Sequence, residues 1–258
     1  MENTMKNGFM DIKTMFWRCM LITLRTPEAL AMSIAIPAII MLIFVNVFGG
    51  SMEVGDYNYA NFIVPGILVN CLVQSSSATG ISVNQDMRTG IISRFRSMAI
   101  VPASFLTGHV LTAFIKTMIT TIVIFVVAFF TGFRPSANAL EWLVIAGLIV
   151  LFIFASTWFS VWLGIIMKDS ESVGGAIQLI AVLVFLSPGM APTKSMPRFL
   201  RYFAENQPMA PFINTLRALM NGNAIADNDL QLTLVWWGGI LVVTFLGAIL
   251  AYKKKLTV

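Results

Sequence analysis

Residues 84–98 read NQDMRTGIISRFRSM, and this basic stretch is the part of the chain that most clearly cannot lie within a membrane. Three arginines, Arg88, Arg94 and Arg96, lie here between two long apolar runs. The apolar residues of the stretch recur at helical spacing and form a narrow stripe: Met87, Ile91, Phe95 and Met98. The pattern predicts a compact basic helix between two membrane spans that could contact a cytosolic protein. The alternative is a positively charged loop that only sets topology.

Composition indicates a polytopic membrane protein. Of the 258 residues, 57% are hydrophobic and 11% are charged, whereas soluble domains carry about 25% charged residues. No soluble core of this size could bury so much apolar surface. The net charge of +5 does not indicate nucleic-acid binding, because the basic residues cluster at span ends and loops.

Apolar runs of about 20 residues can cross a hydrocarbon core of about 30 Å. Five runs qualify: 29–48, 60–83, 101–131, 140–167 and 232–252. A sixth, 173–186, is short, but becomes long enough if it starts near Ser170. We therefore expect six spans in a single transmembrane domain over residues 1–258, with both termini on the same side.

The distribution of Lys and Arg predicts which side that is. With the N-terminus inside, the cytoplasmic basic residues are Lys6, Lys13, Arg18, Arg25, Arg88, Arg94, Arg96, Lys168, Lys253, Lys254 and Lys255. The outer basic residues are Arg134, Lys194, Arg198, Arg201 and Arg217. The positive-inside rule therefore favours cytoplasmic termini, with the segment 188–231 as an exception.

Residues 9–26 precede the first span and predict a different kind of helix. On a helical wheel, Asp11, Arg18 and Arg25 line one face and apolar residues line the other. This pattern is typical of an interfacial amphipathic helix in the headgroup plane, ended before Pro27. The alternative is an extension of the first span.

Residues 188–222 form neither a plain loop nor a span. Short helices are predicted at 196–204 and 211–220, joined by a turn at Gln207 and Pro208. Such a re-entrant hairpin could enter the outer leaflet and return, provided that protein covers its irregular backbone.

Catalytic and metal-binding motifs of soluble enzymes are absent from the sequence, which has no Walker A loop, H-E-x-x-H, C-x-x-C or G-x-S-x-G. No Asp or Glu lies in the middle of a span, which argues against an ion-driven antiporter. His109, the single histidine, is interpreted as interfacial or packed, with a proton relay as the alternative. Lys116 is the one deep charge. It could extend to the cytoplasmic interface, or contact a substrate.

The order of these elements resembles the permease of a type-2 ATP-binding-cassette (ABC) exporter. Residues 62–67 are similar to its hydrophobic-Pro-Gly-Ile start, and residues 86–98 to its basic loop with Arg-Phe-Arg-Ser. The hairpin is similar at Ala191, Pro192, Met196, Pro197, Gln207, Pro208, Thr215, Leu216, Arg217, Ala218, Leu219 and Gly222. The combination is most similar to the drug-resistance branch typified by daunorubicin/doxorubicin exporters. Met209 and Ala210 depart from that branch, which commonly has Val-Thr there.

The resemblance implies an all-α transport subunit and not an enzyme. It implies a bacterial cell membrane, a second permease copy or paralogue, and two separate ABC ATPase subunits. ATP and Mg would bind those subunits, and this chain would bind no cofactor. The loop between spans two and three would be the coupling helix, at residues 84–98. Its predicted contacts to the ATPase are Asp86, Arg88, Gly90, Arg94, Phe95 and Arg96.

A substrate pathway is predicted along the second and fifth spans. The second span carries a polar run that is costly against lipid and should face a partner helix or a cavity. The predicted pathway residues are Asn70, Gln74, Gln178, Leu179 and Leu183. Plain helix packing explains the leucine spacing equally well.

Three functions compete at this point. The first is the permease of an exporter of drug-like or lipid-like amphiphiles. The second is the permease of an exporter of polysaccharide or lipid-linked polymer. The third, from another class, is a secondary transporter or an integral membrane enzyme.

Overall fold

The computed structural model describes residues 2–49, 58–90, 102–226 and 228–257, and within these residues the only regular secondary structure is helical. The helices are α1 (Glu2–Leu24), α2 (Pro27–Ile43), α3 (Tyr59–Arg88), α4 (Pro102–Phe130), α5 (Ala139–Ile166), α6 (Ser170–Phe185), α7 (Arg198–Asn206), α8 (Met209–Met220) and α9 (Asp229–Thr257). A π-helical turn at Phe44–Phe48 extends α2, and a 3-10 turn lies at Thr193–Ser195. The predicted all-α class is confirmed.

Five helices are long and apolar enough to cross a membrane, and they match the five long apolar runs of the sequence. They are Leu30–Phe48, Tyr59–Arg88, Ser104–Phe130, Ala139–Ile166 and Asp229–Lys255. The sixth predicted span corresponds to α6, which has 16 residues. At about 1.5 Å per residue it is about 24 Å long, less than the hydrocarbon thickness of about 30 Å. A sixth span therefore stays a prediction.

Helix α1 is separate from the first span and packs along α4. It ends before Pro27, as predicted, but it begins nearer the N-terminus than residue 9. Met15 and Cys19 are buried on its apolar face. That face is therefore covered by protein, at least in part, and a location in the headgroup plane stays a prediction.

Helix α3 lies at the centre of the bundle, in contact with α2, α4, α5, α6 and α8. One face of its polar run packs against α5. The Ser160 hydroxyl donates to the Ser76 carbonyl at 2.7 Å and accepts from the Gly80 N–H at 3.0 Å. The Asn84 amide donates to the Gly164 carbonyl at 2.9 Å. These bonds satisfy polar groups that would be costly against lipid.

Close backbone approach makes this packing possible. A Cβ atom added to Gly80 would lie 2.4 Å from Ser160 Oγ, and one added to Gly164 would lie 2.4 Å from the Gly80 carbonyl oxygen. Small residues at the crossing therefore let α3 and α5 pack with their backbones nearly in contact.

The two short helices expected within residues 188–222 are present as α7 and α8, which begin at Arg198 and Met209, near the predicted starts, and we call this pair the hairpin. Arg217 of α8 is buried and fastens the hairpin to α3. Its Nε donates to the Phe62 carbonyl at 3.1 Å, and its guanidinium carbon lies 4.0 Å from the centre of the Phe62 ring. Another guanidinium nitrogen donates to the Pro188 carbonyl. Entry of the hairpin into a bilayer stays a prediction.

Candidate functional site

The basic segment 84–98 is described only in its first part, which continues α3. The helix extends to Arg88, and Gly90 has φ +71°. A glycine in this left-handed conformation commonly ends a helix, because other residues are strained there. The apolar stripe predicted one helix over residues 84–98. Residues 84–88 instead continue α3, and residues 91–98 lie outside the described part of the chain, so a coupling helix there stays a prediction. Three predicted contact residues lie outside the described part of the chain: Arg94, Phe95 and Arg96.

Asp86, in the last turns of α3, binds side chains from two other helices. Both terminal nitrogens of Arg18 on α1 donate to its carboxylate, at 2.8 and 3.0 Å. His109 Nε2 on α4 lies 3.1 Å from Asp86 Oδ2. The side chains of Asp86 and His109 are only 14% and 6% exposed. The carboxylate stabilises the charged guanidinium and so raises the pKa of Arg18.

This network joins α1, α3 and α4 just before the chain leaves α3 at Gly90. It gives Arg18, which the sequence placed on the charged face of an interfacial helix, a partner within the bundle. His109 is packed, as expected, but it is also bonded to Asp86. The carboxylate of Asp86 is engaged within the chain, and its contact with an ATPase stays a prediction.

Arg88 is exposed at the end of α3, on the surface that also carries the turn between α5 and α6. Asp169 in that turn caps α6 by accepting the Ser172 N–H at 2.7 Å. That hydrogen bond lowers the pKa of Asp169, and the charge of Arg88 lowers it further. Two cytoplasmic segments of the predicted topology therefore lie side by side here.

The five predicted pathway residues do not share one surface in the chain. Asn70 is buried between α3 and α6, where its amide lies 3.5 Å from the Ala181 carbonyl. Gln178 and Leu179 are exposed on the outer face of α6. Gln74 and Leu183 line two different cavities. The sequence could not show how these residues are distributed. Residues close together on one helix point in different directions around it, and the tertiary packing decides what each of them faces.

One of these cavities, which we call the polar cleft, lies between α1, α2, α3 and α4 and has a volume of about 270 Å³. Hydroxyl and amide side chains form much of its wall, together with the Asp86–His109 pair and Lys116. The predicted pathway residue that lies in it is Gln74.

The other cavity, which we call the apolar cavity, has a volume of about 660 Å³ and lies beneath α7. Helices α3, α5, α6, α8 and α9 also contribute to its wall. Most of the lining is aromatic or aliphatic: Val73, Phe159, Ile177, Ile180, Leu183, Phe199, Tyr202, Phe203, Met209, Trp237 and Ile240. Its size is in the range of pockets that hold drug-sized ligands, about 300–1,000 Å³.

Within the described residues, the fold is a helical bundle with five helices long and apolar enough to cross a membrane, which is the architecture of a membrane protein. Residues 10–221 match the ABC-2 type transporter family. The match covers most of the chain, including the α3 region and the hairpin, so the chain belongs to this family.

Curated relatives place the resemblance in the drug-resistance branch. The chain is 27% identical to the daunorubicin resistance ABC transporter permease protein DrrB1 of Streptomyces coeruleorubidus, over 82% of this chain and 75% of the relative. It is 24% identical to the probable doxorubicin resistance ABC transporter permease protein DrrC of Mycobacterium tuberculosis, over 87% of this chain and 82% of the relative. Both relatives are permeases, which are transport components.

Proposed function

We propose that the chain is the membrane-spanning subunit of an ATP-driven exporter that moves drug-like or lipid-like amphiphiles out of the cell. The observation that carries the proposal is the likeness to two drug-resistance permeases over more than four fifths of the chain. The proposed location is the plasma membrane, with both termini in the cytoplasm.

The proposal requires a separate ABC ATPase, and residues 84–98 are its proposed contact. Helix α3 supports this role because it has 30 residues and is about 45 Å long at about 1.5 Å per residue. One end is fastened to the hairpin through Arg217, and the other is fastened to α1 and α4 through Asp86. A movement of the ATPase against the segment after Gly90 would therefore displace α3, together with the hairpin at one end and α1 and α4 at the other.

The proposal also requires a second permease copy or paralogue. The exposed face of α6 suits that contact, since Gln178, Leu179 and Val182 point away from the bundle. Leu179 is 71% exposed. On the neighbouring face of α6, Ile177, Ile180 and Leu183 line the apolar cavity, whose aromatic walls suit a planar, amphiphilic cargo. Leu183 lies one turn from the exposed Leu179, so helix α6 is proposed to contribute both to the dimer contact and to an adjoining cargo-binding surface.

Reconstitution tests the proposal. The chain is placed in liposomes with a candidate ABC ATPase subunit, and doxorubicin transport and ATP hydrolysis are measured together. We expect transport only when both proteins and ATP are present. Doxorubicin transport by the chain alone along an ion gradient would indicate a secondary transporter. Drug-insensitive hydrolysis that a lipid-linked polymer stimulates would indicate a polymer exporter.

A further inference from the structure

We propose that the polar cleft binds the anionic headgroup of a membrane amphiphile through the Lys116 ammonium group. The recognised chemistry is a phosphate or similar oxyanion attached to an apolar tail. At about 270 Å³ the cleft is smaller than most pockets for whole drug-sized ligands, which are about 300–1,000 Å³. It therefore suits a headgroup whose tail remains outside.

Lys116 gives the cleft a positive charge that is not neutralised by any residue in the described part of the chain. Among the described residues, its ammonium group has no hydrogen-bond or ion-pair partner. Asp86 is the acidic residue in the wall, and Arg18 and His109 already bind its carboxylate. Lys116 lies two helical turns beyond His109 on α4, or about 10 Å along the axis. A lone cation at membrane depth is costly, and an anionic ligand would offset that cost.

The remaining polar groups of the wall leave further donors for such an anion, and the Gln74 amide is one of them. The hydroxyl donors are mostly bonded to carbonyls of their own helices, as seen for Thr23, Ser33, Ser82 and Thr112. The Gln74 amide faces the same cleft and has no partner among the described residues. Lys116 and Gln74 together could therefore donate to two oxygens of one headgroup.

The surroundings favour an amphiphile over a free ion. Helix α2 forms one wall of the cleft, and only 11% of its most apolar stretch is buried. Along α2, Met32, Ile36 and Ile39 are between 50% and 61% exposed and recur at helical spacing. They form an apolar stripe on the exposed face of α2, and Ile36 lies one turn from Ser33 of the cleft wall, so the tail of a bound amphiphile could pass from the cleft onto this face.

Lipid retention by the purified full-length protein tests this site. The protein is equilibrated with equal amounts of phosphatidylglycerol and phosphatidylcholine in detergent, and native mass spectrometry counts the lipids that remain bound. We expect preferential retention of phosphatidylglycerol by the wild type and by Lys116→Arg. Lys116→Met should lose about tenfold in that preference, because a charge-assisted hydrogen bond is removed. Gln74→Leu should lose part of it.

The matched control is Lys168→Met, which removes an exposed lysine at the turn between α5 and α6. It should retain phosphatidylglycerol like the wild type, and a monodisperse gel-filtration peak shows that each variant is folded. Equal retention by the wild type and folded Lys116→Met would overturn the proposal. Displacement of phosphatidylglycerol by millimolar inorganic phosphate would also overturn it, since the site would then be one for free anions.

Discussion

At the scale of single residues, one carboxylate determines how the end of α3 is held. Asp86 accepts two hydrogen bonds from Arg18 and lies beside His109, so three helices meet at one partly buried acid. Burial of any one of these groups alone would be costly, and together they compensate one another. The network is thus a structural support for the adjoining loop, whatever protein that loop contacts.

Substitution of Asp86 by Asn tests this support. The variant keeps the shape of the side chain but removes the charge, and it leaves Arg18 partly buried without its carboxylate. We expect the free energy of unfolding to fall by about 1.5–3 kcal/mol, the usual worth of hydrogen bonds to charged groups. The measurement is the midpoint of thermal unfolding in detergent.

Glu171→Gln is the control for that experiment, since Glu171 is an exposed acid at the start of α6. Its unfolding midpoint should stay at the wild-type value. A midpoint for Asp86→Asn that equals that of the control would show that the Arg18–Asp86–His109 network does not stabilise the bundle.

At the scale of helices, the sequence predicted the long apolar elements well and their contacts poorly. The five long apolar helices and the two short helices α7 and α8 follow from run length and from Pro and Gly positions, which are local properties. The end of α3 was harder to predict, because its last turns are polar and lie beyond the apolar run that defined the span. The close contact of α3 with α5 at Gly80 and Gly164, which we call the glycine seam, was not predicted, since no local sequence feature shows which helix a glycine faces.

The glycine seam predicts a position-dependent effect within one helix. Gly164→Ala would place a Cβ atom 2.4 Å from the Gly80 carbonyl oxygen and force α3 and α5 apart. We expect a loss of about 1–3 kcal/mol, as for other overpacked sites, read as a lower unfolding midpoint.

Gly147→Ala is the matched control, because Gly147 also lies in α5 and a Cβ atom there would meet no atom within 4 Å. Alanine favours a helix over glycine, so this variant should be neutral or slightly stabilised. If both alanine variants unfolded at the same temperature, the close contact of α3 with α5 would be contradicted.

At the scale of the whole molecule, contacts between residues far apart in sequence determine which elements would move together with α3. Phe62 and Arg217 are 155 residues apart, and Arg18 and Asp86 are 68 residues apart. No local sequence pattern could therefore predict either contact. The pathway residues were dispersed for the same reason, since the tertiary packing decides which polar group faces which neighbour. The sequence motifs nevertheless indicated the family correctly, because they are short and contiguous.

The last prediction concerns the connection between this bundle and its proposed ATPase. Arg94→Glu combined with Arg96→Glu reverses two charges in the segment that follows α3, and should weaken docking onto an acidic surface of the partner. We expect ATP-driven transport to fall by about tenfold or more, since each lost charged contact is worth about 1.5–3 kcal/mol. Membrane insertion and the unfolding midpoint should not change. Lys194→Glu is the control charge reversal, at an exposed residue in the 3-10 turn before α7, and should transport normally. Normal ATPase co-purification and transport by the double variant would mean that the arginines only set topology.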